Sequence, residues 1–172
     1  MTRVIRKQKN TVFGFGEGES EQIFLKHLRS LYSANKTSVK VDNAGGGEPS
    51  HILEKAVRIR SNIAYNHSFL LLDTDKEWKE SLSDEARKKS IELIGSSPCL
   101  EGLLLSILEP RANYNNRSSS DCKRHFQDIY LNADRAITDV DCAQLFQKNI
   151  LDQAKVGIQP LRRIIEIMEG NF

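Results

Sequence analysis

Phe69-Leu70-Leu71-Leu72 is apolar at every position and stops abruptly at Asp73. A strand with one wet face alternates apolar and polar side chains, whereas a strand with no alternation is covered on both faces. Such strands belong to parallel sheets sandwiched between helices, because parallel neighbours are joined by helical crossovers. The remainder of the chain should therefore supply helices between short strands.

The periodicity meets that requirement. Thr11 to Phe15 is β-prone and runs into a glycine and acid turn, after which Ile23, Phe24, Leu28 and Leu31 recur at helical spacing as far as Tyr32. Val39 and Val41 mark a second strand. Gly45-Gly46-Gly47 makes a turn before Pro49 and Ser50 open a helix striped by Ile52, Leu53, Ala56, Val57 and Ile59. Beyond the apolar strand, Ser81 to Lys89 reads as an exposed charged helix, and Ile91 to Ile94 as a fourth strand ended by Gly95. Ser96-Ser97-Pro98 starts a buried helix with Leu100, Leu103, Leu104, Leu105, Ile107 and Leu108, stopped by Glu109-Pro110. Asn113 to Asp121 reads as a loop rich in Asn and Ser, and helices are expected near Cys122 to Leu131, Thr138 to Asp152 and Gln159 to Met168. The expected fold class is α/β, a Rossmannoid, mostly parallel sheet flanked by helices with a C-terminal helical extension. At 172 residues, with no repeat or linker, one domain is expected, its core at about 10–110 and its extension at about 111–172.

Composition narrows the setting. No apolar run approaches the roughly 20 residues a bilayer span needs, and the basic amino terminus lacks the apolar segment of a secretory signal. No membrane association is expected. Cys99, Cys122 and Cys142 have neither C-x-x-C spacing nor an even count, so zinc and disulfides are not expected and a reducing cytoplasm is. His27, His51, His67 and His125 are scattered and read as structural or exposed. The formal net charge is only +2, but Arg3, Arg6, Lys7 and Lys9 precede every acidic residue. Such an arm can neutralise the phosphates of a nucleic acid, or it is a solvated terminus.

Three acidic clusters stand beside these elements: Glu17-Gly18-Glu19-Ser20-Glu21, Asp73-Thr74-Asp75, and Glu101 after Pro98-Cys99-Leu100. Side chains just beyond the carboxyl ends of parallel strands converge on one crevice, so acids distant in sequence can share a metal there. Mg²⁺ is bound by a few carboxylates and completes its shell with water or phosphate oxygens. Asp73 and Asp75 would share a face about 7 Å apart in a regular strand, and a loop at Asp75 allows both to reach one ion. Aspartates after strands also make turns and caps. Glu17 adds to the metal reading, since Gly16 and Gly18 let the backbone approach a ligand, and Glu21 lies about one helical turn further. Glu19, Glu21 and Glu101 also suit the positive end of a helix dipole. Gly45, Gly46 and Gly47 before a helix could present N–H groups to a phosphate, or form only a turn.

Phe15-Gly16-Glu17-Gly18-Glu19-Ser20-Glu21 resembles the first motif of TOPRIM domains, an apolar strand followed by E-G-x-[ST]-[DE], and Asp73-Thr74-Asp75 resembles their D-x-D. Gly45-Gly46-Gly47-Glu48-Pro49, and Ser97-Pro98-Cys99-Leu100-Glu101 before Leu103-Leu104-Leu105, are similar to the glycine-rich and N-P-C-F-E blocks of the RloB-like family, related to OLD-type nucleases. The order holds over roughly residues 10–130. Leu100 stands where that family has an aromatic residue, and Gly102-Leu103 where it has Leu-Trp. The resemblance implies a TOPRIM-like fold with Glu17 as acid/base or metal ligand, Asp73 and Asp75 as the metal pair, and Glu101 as a further acid. It also implies a prokaryotic antiviral-defence or genome-maintenance setting, often beside a partner ATPase.

The function expected is a metal-dependent nuclease, a hydrolase of phosphodiester bonds in DNA or RNA using Mg²⁺ or Mn²⁺, with two ions held by Glu17, Glu21, Asp73, Asp75 and Glu101. The alternative is a partner-dependent regulatory or toxin subunit of an ATPase complex with little catalysis of its own. Homo-oligomerisation is compatible with either. Neither G-x-x-x-x-G-K-[ST] nor G-x-G-x-x-G occurs, which argues against a nucleotide-binding module of those types.

Overall fold

Four strands, β1 (Asn10–Gly16), β2 (Thr37–Asn43), β3 (His67–Asp73) and β4 (Glu92–Ser96), pair in the order β2-β1-β3-β4, and every pair is parallel. The computed structural model describes residues 9–33 and 37–172. Among these, eight α-helices accompany the sheet: α1 (Glu19–Tyr32), α2 (Pro49–Arg60), α3 (Glu80–Lys88), α4 (Leu100–Leu108), α5 (Ser119–Phe126), α6 (Asp139–Leu145), α7 (Lys148–Ala154) and α8 (Gln159–Glu169). The layout is Rossmann-like α/β.

The period-2 alternation of each strand sorts its side chains between two cores. Val12, Val41, Phe69, Leu71 and Ile94 face α1, α4 and the C-terminal helices. Phe13, Phe15, Leu70 and Leu72 face the other way, against Ile52, Leu53 and Ala56 of α2 and Leu82 and Ala86 of α3. Phe69 to Leu72 are fully buried, as two-sided cover requires.

The C-terminal helices are tied to the first core by buried apolar residues and by polar fasteners. Phe146 packs edge-on against Phe24 with ring centroids 5.5 Å apart, and its carbonyl oxygen contacts His27 Nε2 at 2.8 Å. Glu109, at the end of α4, accepts hydrogen bonds from Tyr114 and Tyr130 and contacts His125 Nε2 at 3.0 Å, which fastens α4 to α5. Glu92 takes Arg163 Nε and Nη2 at 2.7 and 2.9 Å and His67 Nε2 at 2.9 Å, joining the sheet to α8.

Three boundaries depart from expectation. Gly95 does not end β4 but pairs with Leu72 inside it, where Thr74 and Trp78 crowd its Cα. The single helix expected from Thr138 to Asp152 is two, α6 and α7, because Phe146 turns in to reach the core at their junction. The expected loop from Asn113 to Asp121 gives way to helix at Ser119, and the helix expected from Cys122 to Leu131 is α5 followed by a π-helical turn, Gln127–Leu131. The three cysteines are buried free thiols, and no described helix is long and apolar enough to cross a membrane.

Candidate metal and phosphate site

The chain leaves β1 to one side for β2 and later returns to the other side for β3, so the strand order reverses between β1 and β3. Clefts in open α/β sheets form beyond the carboxyl ends of strands at such a reversal. Glu17 follows β1 and Asp73 ends β3, which puts them on the two lips of this crevice.

Gly16 makes the first approach possible. A Cβ there would stand 2.5 Å from Glu21 Cβ, so only a bare Cα lets the first turn of α1 fold back over the strand end. Glu21 is 7% exposed, and its Oε2 accepts the Gly18 N–H at 2.7 Å, satisfying a donor at the start of α1. Glu17 is half-buried, with its Oε2 3.4 Å from the Asp73 amide nitrogen.

Asp73 Oδ1 accepts from Ser96 Oγ and from the Leu100 N–H, both at 3.0 Å, so this carboxylate lies over the start of α4. Trp78 Nε1 donates to the Asp73 carbonyl oxygen at 3.0 Å. Asp75 is exposed. Its amide donates to Pro98 O at 2.9 Å, and its Oδ2 accepts from Ser119 Oγ at 2.8 Å. Thr74 N–H also reaches Ser96 O and Pro98 O, at 3.0 and 3.1 Å, so the paired aspartates are stitched to the segment that opens α4. Glu101 sits half-buried in the first turn of that helix.

Crowding acids in a partly desolvated crevice favours their neutral forms. Burial, followed by repulsion from Glu21 and Glu17 and a lesser push from Glu101, raises the Asp73 carboxyl to about 7 against the pull of the Ser96 hydrogen bond. Burial also raises Glu17, with Asp75 adding to it and the Asp73 amide, Lys76 and Lys123 opposing. Glu21 is raised chiefly by burial, with Glu101 and Glu17 contributing repulsion. An all-oxygen set this rich in negative charge suits a hard divalent cation. Among the described residues no three Asp, Glu, His or Cys side chains stand as a ready-made metal-binding group. The carboxylates of Asp73, Asp75 and Glu21 are turned toward Ser96 and Leu100, Ser119, and Gly18.

Gly45, Gly46 and Gly47 have φ of 76°, 86° and 132°, conformations that disfavour any other residue. Their loop folds beside Glu17: Gly46 N–H donates to Glu17 O at 2.8 Å and Gly45 N–H to Asn43 Oδ1 at 2.8 Å. Two of the N–H groups expected to meet a phosphate are thus taken by protein acceptors. Lys9 precedes β1 at the amino edge of the sheet, roughly 23 Å of strand away from the acids. Arg3, Arg6 and Lys7 lie outside the described residues. A cleft of about 710 Å³ lined by Arg60, Tyr65 and His67 also opens at that amino edge, and none of the five acids lines it.

Sequence reasoning missed Ser119 and Lys123, which α5 brings to the acids. Their helix was signalled by Ser118-x-x-Asp121: Ser118 Oγ accepts the Asp121 N–H at 3.1 Å and donates to Asp121 Oδ2 at 2.7 Å. No family model, curated protein or solved structure matches this chain.

Proposed function

We propose that the protein is a metal-dependent phosphodiesterase acting on DNA or RNA, with Glu17, Glu21, Asp73, Asp75 and Glu101 as the groups that would hold Mg²⁺ or Mn²⁺. The observation that carries the reading is the gathering of Glu17, Glu21 and Glu101, from the end of a strand and the first turns of two helices, around Asp73 at the carboxyl edge of the sheet, where burial and their repulsion raise its carboxyl to about 7. Repulsion of that kind costs stability and is relieved by a bound cation. Bound divalent ions would supply charge neutralisation at the scissile phosphate and an acidified water.

The chain's own groups have separable tasks. Glu17, half-buried and with its carboxyl raised, suits a base that takes the proton of the attacking water at Oε. The water oxygen bonds to phosphorus, the bond from phosphorus to the leaving sugar oxygen breaks, and that oxygen is protonated from solvent. Asp75 is exposed on the rim, where incoming substrate meets it first. The similarity of the Glu17, Asp73-x-Asp75 and Glu101 segments to TOPRIM and RloB-like motifs supports the same reading.

Cleavage of labelled single- and double-stranded DNA and RNA with Mg²⁺ or Mn²⁺ tests it. Asp75→Asn keeps size and removes charge, so it should abolish metal-dependent cleavage at unchanged melting temperature. Cleavage by Asp75→Asn equal to the parent's across the metal titration would refute the assignment. A second reading, a regulatory subunit that depends on a partner such as an ATPase, is favoured by one observation. The carboxylates of Asp73, Asp75 and Glu21 each commit one oxygen to a protein donor, so an ion must compete with those bonds, and a partner that draws the donors away would open the site. Cleavage that arises only on adding the partner would select it.

A further inference from the structure

Helix α5 lies against the start of α4 with Cys122 and Phe126 buried, and Cys99 Sγ contacts Ser119 O at 3.8 Å, pinning the first turn. Ser119 and Lys123 are four residues apart and therefore share one face of α5. Since Ser119 Oγ is 2.8 Å from Asp75 Oδ2, that face is turned to the acids and Lys123 stands on the acid side. The charges agree from both directions. Glu101, Asp73 and Asp75 hold the Lys123 ammonium above its ordinary value against the opposing cost of desolvation, and Lys123 in turn pulls Glu17 down. The other cations nearby are engaged elsewhere: Lys76 Nζ meets Glu48 at 2.7 Å, and Arg124 meets Asp121 at 2.7 Å.

We propose that Lys123 is the residue that receives the scissile phosphate of a nucleic-acid strand at this site, acting until then as the counter-ion of the acids. The proposal rests on the phosphodiesterase reading. Five carboxylates retain an excess of negative charge even with two divalent ions bound, and a phosphodiester adds to it. A flexible ammonium on the rim supplies the missing charge where negative charge grows on the non-bridging oxygens. In the resting protein the same ammonium competes with metal for the acids. Removing it should therefore tighten metal binding while slowing cleavage, opposite movements that loss of a structural contact does not produce.

The test uses the full chain as Lys123→Met and Lys123→Arg, with Mn²⁺ affinity read by calorimetry and cleavage by turnover of a labelled oligonucleotide. Lys123 is exposed, so neither change empties the core. Lys123→Met should bind Mn²⁺ about tenfold more tightly and lose about 100-fold in kcat, while Lys123→Arg stays within a few-fold of the parent in both. Unchanged Mn²⁺ affinity and cleavage in Lys123→Met would overturn the proposal, as would equal weakening of both by Met and Arg. Should the parent cleave no nucleic acid while Lys123→Met still tightens Mn²⁺ binding, the phosphodiesterase reading falls together with the phosphate role, and the counter-ion placement stands.

Discussion

Asp73→Asn should stabilise the metal-free protein at pH 8 by about 2 kcal/mol and lose that advantage near pH 4. The Asp73 carboxyl is held at about 7 in the folded chain, against about 3.9 when unfolded. Between those values the native state binds a proton that the unfolded state has released. Parent stability therefore falls as pH rises through the window, and at pH 8 ionisation of Asp73 costs the fold on the order of 4 kcal/mol. Asn removes that cost and keeps an Oδ1 for Ser96 Oγ and Leu100 N–H, each at 3.0 Å. The Ser96 bond is already counted in the raised carboxyl; solvent screening of a carboxylate that is only partly buried halves the remainder, which leaves a net gain of about 2 kcal/mol. For a chain of 172 residues this corresponds to roughly 4 to 8 °C in Tm. Urea unfolding with EDTA at pH 8 and pH 4 measures it. An Asn variant no more stable than the parent at pH 8, or equally stabilised at both pH values, would refute the crowded-acid account.

Gly16→Ala should destabilise by about 1 to 3 kcal/mol, because its Cβ would meet Glu21 Cβ at 2.5 Å and must displace the first turn of α1; denaturation gives the cost, and the thermal shift on adding Mn²⁺ should shrink with it. Arg163→Met breaks the two bonds to Glu92 at 2.7 and 2.9 Å and should cost about 1 to 2 kcal/mol at pH 7. The Arg163 guanidinium holds the Glu92 carboxyl below its ordinary value, so this stability is present above about pH 4.3 and lost as pH falls through the folded value. Parent and Arg163→Met should thus converge in acid, as urea midpoints at pH 7 and pH 3 will register.

The sheet was legible because burial on both faces leaves an unbroken apolar run, and Phe69 to Leu72 carries that mark. The acids at the strand ends followed from topology, since a parallel sheet gathers residues beyond its carboxyl edge. Lys123 and Ser119 were not legible from periodicity: α5 is short and polar, and only Cys122 and Phe126 are buried in it. The Ser118-x-x-Asp121 cap was the available signal, masked by the neighbouring run of Asn and Ser. The break between α6 and α7 was hidden for the opposite reason, because Phe146 fits a continuous apolar stripe and only tertiary packing on Phe24 turns the chain there. Hydrogen bonds that turn Asp73 toward Ser96 and Asp75 toward Ser119 pair residues 23 and 44 positions apart, a separation that no local pattern encodes.

Mn²⁺ titration calorimetry at pH 6.5, repeated in buffers of different ionisation enthalpy, tests the acidic crevice as a metal site most directly. The parent should bind Mn²⁺ and release protons as it does so, because the Asp73 carboxyl, at about 7, is largely protonated before the ion arrives. Glu17→Gln with Asp73→Asn should lose both the binding and the proton release. No binding at millimolar Mn²⁺, or binding undiminished in the double variant, would contradict the account.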